Sequence, residues 1–81
     1  MKIPRNVSGD ELSRLLAQFG YVITRQTGSH MRLTSSFKGS EHHITIPRHT
    51  PLKIGTLNSI LKNIASYLEI DRNKFVDKLF A

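Results

Sequence analysis

The spacing of apolar positions changes twice along this chain. Leu12, Leu15, Leu16 and Phe19 recur at helical spacing and mark one face of a helix. Ser8 is a good N-cap, and Glu11 three residues later completes a capping box. Val7 and Leu12 are spaced as a hydrophobic staple, and Gly20 is a natural stop. A helix is therefore expected over residues 9–19.

The period then falls to two. Y-V-I-T-R-Q is rich in β-branched and aromatic residues, Thr27-Gly28-Ser29 is a short link, and H-M-R-L-T-S follows, which together predict a β-hairpin. In the second strand Met31 and Leu33 share one face, and His30, Arg32 and Thr34 share the other. The first strand carries an apolar residue on both faces, so its pattern leaves the register open. Lys38-Gly39-Ser40 makes a second turn, and H-H-I-T-I-P is a third strand ended by Pro47. Its Ile44 and Ile46 face one way, and His43 and Thr45 the other. His42 and His43, as neighbours on a strand, point to opposite faces.

Helical spacing returns after the basic loop Arg48–Lys53. Ile54, Leu57, Ile60, Leu61, Ile64 and Leu68 have helical spacing and predict a helix over about 54–66. Asp71 then caps a short helix with Phe75, Val76 and Leu79 as its apolar face. The expected fold is α+β: an α-β-β-β-α order like that of double-stranded-RNA-binding domains. It has a three-stranded antiparallel sheet, two helices on one face and a short C-terminal helix. The other sheet face stays open and carries His30, Arg32, Thr34, His43 and Thr45.

At 81 residues the chain is expected to form one domain over residues 1–81. Composition sharpens the choice of partner. Lys and Arg outnumber Asp and Glu by 12 to 6, a formal charge of +6, which favours a polyanion such as nucleic acid. With no cysteine there is no disulfide or thiolate metal site, and a cytosolic setting fits. No apolar run approaches the ~20 residues of a membrane helix, so no membrane partner is expected. The four histidines and the isolated Glu41 and Asp71 match no zinc-site spacing, so no metal and no cofactor is expected.

The tight Gly28-Ser29 turn delivers His30 to the first position of a strand. Histidine can exchange a proton near neutral pH, and Arg25 and Arg32 beside it suit an anionic substrate. A half-exposed surface histidine is the plainer alternative. Gly55 and Thr56 lie in the first turn of the second long helix, where free N–H groups and the helix dipole favour phosphate. Lys38, Arg48 and Lys53 are placed to hold a nucleic-acid backbone.

Three strings, holding four motifs in order, carry a resemblance. L-L-A-Q-F-G-Y-V-I-T-R-Q-T-G-S-H, I-T-I-P-R-H and L-K-I-G-T-L-N-S-I-L-K have the spacing of G-F/Y, R-Q-x-G-S-H, V/I-P-x-H and G-T-L-x-x-I-L. The chain resembles the HicA (YcfA-like) mRNA interferases over roughly residues 10–80. That resemblance implies a small cytoplasmic endoribonuclease toxin of a toxin–antitoxin pair. It would cleave mRNA without a metal and be held inactive by a HicB-type antitoxin. The family's essential histidine falls on His30, its G-S-H turn on Gly28 and Ser29, and its helix start on Gly55, Thr56 and Leu57.

The chain departs from the pattern in a longer lead-in, in Arg48 and Thr50-Pro51 of the loop, and around Ala65–Glu69. None touches the His30 motif. For such chemistry a histidine moves a proton to or from the RNA, and Arg32 or Arg25 stabilises charge on the phosphorus. His49 is accounted for by turn chemistry after Pro47. The free protein is expected to be a monomer. The competing readings are a non-catalytic RNA-binding module and an adaptor using the open sheet face or a strand edge.

Overall fold

The computed structural model describes residues 3–81; Met1 and Lys2, the start of the basic lead-in, lie outside them. Helix α1 spans Gly9–Leu16 and tightens into a 3-10 turn over Ala17–Phe19. Strands β1 (Val22–Thr27), β2 (His30–Ser35) and β3 (His42–Pro47) follow, then α2 (Ile54–Leu68) and α3 (Arg72–Leu79). The expected α-β-β-β-α order is the observed one.

The local signals act as predicted. Ser8 Oγ accepts the Glu11 N–H at 3.0 Å, one of the donors a helix start leaves unpaired. Gly20 ends the helical segment at φ 80, a left-handed conformation that glycine adopts without cost. Asp71 accepts the Lys74 N–H at 3.2 Å and starts α3. Helix α2 runs to Leu68, slightly past the expected end, because Ile64, Ala65 and Leu68 are all buried and packing holds the last turn.

The sheet is antiparallel with β2 in the centre. Its inner face gives Met31, Leu33, Ile44 and Ile46 to the core. Leu12 and Leu16 of α1 join that core, with Leu57, Leu61 and Ile64 of α2 and Phe75, Val76 and Leu79 of α3. Each such side chain contributes roughly 1.5–3 kcal/mol by leaving water. On the outer face His30, Arg32, His43 and Thr45 are exposed, whereas Thr34 is buried, its hydroxyl bonded to Thr24 and His43.

Strand β1 is the exception to the burial pattern. All 6 of its residues are exposed, Val22 and Ile23 included, so the core does not extend beneath it. Tyr21, predicted as its first residue, instead leaves the sheet and is buried. Its phenol lies 2.6 Å from His42 Nδ1, and His42 Nε2 lies 3.0 Å from Asn63 Oδ1. Nε2 donates to that carbonyl oxygen, which leaves Nδ1 to pair with the phenol. His42 also stacks on Tyr67 at 4.5 Å. Burial, with the Tyr67 phenol nearby, pushes the ionisation of Tyr21 well above the ordinary tyrosine range.

Candidate active site

The Thr27↔His30 pair leaves only Gly28 and Ser29 between β1 and β2. Gly28 has φ 54 while Ser29 is not in the positive region, the pattern of a type II′ turn. The turn therefore sets His30 as the first residue of β2. On its other side His30 pairs with Pro47, the last residue of β3. The imidazole is exposed, and Ser29 Oγ lies 3.5 Å from its Nδ1.

The open register of β1 is resolved by a bulge. Val22 and Ile23 pair with Thr34 and Leu33, but Arg25 pairs with Arg32, so Thr24 is an extra residue. Strict alternation from Val22 would turn Arg25 away from the open face. The extra residue restores it, and directly opposed residues share a face. Thr24 stays on that face too, its hydroxyl 2.9 Å from that of Thr34. Arg25, Arg32 and His30 therefore stand together on the open side of the hairpin.

Neither arginine has a carboxylate partner among the described residues. Two like charges held directly opposite each other oppose folding. An anion between them would reverse that cost.

The remaining residues separate into two groups. Arg48 is held by Asp10, with Nε 3.0 Å from Oδ1 and Nη2 3.3 Å from Oδ2. Its charge is already matched, unlike those of Arg25 and Arg32. Lys53, Gly55 and Thr56 form the start of α2, where Lys53 supplies no side-chain cap and the first amides lack that partner. Lys38 lies beyond the opposite end of β2, its backbone N–H donating to the Tyr67 hydroxyl at 3.0 Å. It is not brought to His30.

His43 is also on the open face, but engaged. Its Nδ1 lies 2.8 Å from Thr34 Oγ1, and its Nε2 is 3.6 Å from Glu41 Oε1. Among the described residues, no group of three or more His, Asp or Glu is gathered to hold a metal ion. No described helix is long and apolar enough to cross a membrane.

Sequence reasoning passed over two features here. The bulge at Thr24 leaves no composition signal. The position of His49 follows from the His30↔Pro47 pairing, which no local pattern in the sequence records.

The family described as HicA toxin of bacterial toxin-antitoxin matches residues 9–65, more than two thirds of the chain. The chain belongs to the HicA toxin family. The match includes the His30 turn, the arginine pair, the Pro47–His49 segment and most of α2, and it ends at Ala65. The last turn of α2 and all of α3 lie beyond it, so the match is shorter than the resemblance over roughly residues 10–80. Membership makes the chain a toxin of the toxin–antitoxin type and implies a cognate antitoxin partner. No curated protein and no solved structure matches it.

Proposed function

We propose that this HicA-family chain is a metal-independent endoribonuclease that cleaves mRNA, with His30 as a proton-transfer residue. The observation that carries the reading is His30 on an open sheet face beside two arginines that no carboxylate among the described residues neutralises. RNA supplies its own nucleophile, the 2′-OH. An imidazole accepts that proton or donates one to the leaving oxygen. Arg25 and Arg32 stabilise the charge that gathers on phosphorus.

Gly28 and Ser29 bring the RNA backbone close to the turn. Lys53, Gly55 and Thr56 hold a flanking phosphate. Lys38 and Arg48 contribute at the periphery, Arg48 only where RNA competes with Asp10. The protein acts as a cytoplasmic monomer when free. A HicB-type antitoxin silences it by covering the open face and the β1 edge, where Val22 and Ile23 are exposed.

Induced expression of wild type and His30→Ala in one host tests this. Wild type is expected to arrest growth and fragment mRNA, while His30→Ala does neither and keeps its circular-dichroism spectrum. Equal behaviour of the two, with RNA bound but intact, would leave an RNA-binding module instead.

A further inference from the structure

We infer that His49 is the second proton-transfer group of this site, an inference that rests on the ribonuclease reading above. Cleavage of RNA by its own 2′-OH needs two proton movements. One proton leaves the 2′-oxygen as its bond to phosphorus forms. Another arrives at the 5′-oxygen as the P–O5′ bond breaks. The products are a 2′,3′-cyclic phosphate and a 5′-hydroxyl, so no water or other reagent is consumed. One imidazole serves one of these transfers, and the other requires a second group.

Three further histidines are present, and the fold sorts them. His42 is enclosed by Tyr21, Tyr67 and Asn63. His43 opposes Thr34, four positions along β2 from His30, or roughly 13 Å at strand rise. It is bonded to Thr34 and beside Glu41. His49 is exposed, and its ring has no hydrogen bond among the described residues.

The backbone fixes where His49 sits. The β2–β3 ladder ends at the pair His30↔Pro47. Beyond it the Arg48 N–H donates to Ser29 O at 2.7 Å, so the chain continues alongside the turn that carries His30. The Gly9 N–H donates to His49 O at 3.1 Å and anchors the next residue to the start of α1. That approach is close enough that a Cβ on Gly9 would collide with the Pro47 carbonyl.

From Ile46 to Arg48 the side chains take opposite sides in turn. Ile46 enters the core. Pro47 stands opposite His30 on the open face, and Arg48 turns to Asp10 of α1. β3 ends at Pro47, and extending its alternation two residues further places His49 on the side of His30. The two imidazoles thus flank one position at the end of the sheet, with Arg25 and Arg32 on the adjoining surface.

The test uses the full chain, wild type, His30→Gln and His49→Gln, and two short RNA substrates. One has the ordinary 5′-oxygen leaving group. The other has sulfur at that position, and a thiolate departs without being protonated. Proton-transfer catalysis is typically worth 10²–10⁴-fold. His49→Gln should therefore lose about 10²-fold or more in cleavage of the ordinary RNA. It should keep wild-type RNA binding and circular dichroism.

One of the two variants, the one lacking the acid, should recover on the sulfur substrate. A wild-type rate in His49→Gln overturns the inference while leaving the ribonuclease reading intact, provided His30→Gln is inactive. Failure of the sulfur substrate to rescue either variant also overturns it. If wild type cleaves neither RNA, the ribonuclease reading itself fails and this inference falls with it.

Discussion

At the scale of single residues, the arginines divide by their partners. Arg48 sits against Asp10 in a two-bond arrangement, whereas Arg25 and Arg32 oppose each other with no carboxylate partner among the described residues. A like-charged cross-strand pair costs about 0.2–1 kcal/mol. Arg25→Gln should therefore raise the melting temperature by a few degrees, since about 1 kcal/mol shifts a domain of this size by roughly 4–8 °C. The same change should weaken RNA binding and lower the slope of log affinity against log salt by about one. Thermal melts and salt titrations of RNA binding would check both. A fall in stability together with unchanged binding would mean that the pair is not held for an anion.

At the scale of elements, the decisive contact is between the start of α1 and the end of β3. Gly9 lets the helix press on the Pro47–Arg48 backbone, and no side chain fits between them. Gly9→Ala should cost about 1–3 kcal/mol, as overpacking does. It should also reduce RNA cleavage in the surviving folded protein, because the 47–49 segment must shift relative to His30. Gly28 has φ 54 and open space around it, so alanine there is strained but meets no obstacle. Its expected cost is about 1–2 kcal/mol of backbone strain. Urea unfolding of both variants, with cleavage rates measured below the transition, distinguishes displacement from strain. Equal rates per folded molecule in Gly9→Ala and wild type would show that α1 does not position the segment.

At the scale of the whole molecule, Tyr21 connects the sheet to α2 through His42 and Asn63. Burial raises the proton affinity of its phenol in the folded state above that in the unfolded chain. The folded state then binds more protons in alkali. The stabilisation from this group is complete below the unfolded tyrosine value near 10 and is lost as pH rises above it. Tyr21→Phe should be less stable than wild type at neutral pH, by about 1 kcal/mol for the lost hydrogen bond. It should also lose stability less steeply above pH ~10. Denaturant melts at a series of alkaline pH values would reveal the crossing slopes, and parallel slopes would refute the assignment.

The chain order of helices and strands is determined by interactions a few residues long. The N-cap at Ser8, the helical spacing from Leu12 to Phe19 and the glycines at the turns each act within one or two turns of chain, so the sequence alone determines them. The alternation of Met31 and Leu33 against His30 and Arg32 likewise assigns the faces of β2, because one face must be buried.

The register of β1 was decided only by the tertiary structure. The core does not reach this strand, so no burial selects one face, and a single extra residue moves every later side chain across the sheet. The arrest of Arg48 by Asp10 spans 38 positions, and the enclosure of Tyr21 with His42 spans 21. Neither leaves a periodic trace in the sequence. His49 looked like a turn residue for the same reason. Only the pairing of Pro47 with His30, closed by α1 packing on that segment, brings the two histidines to one end of the sheet.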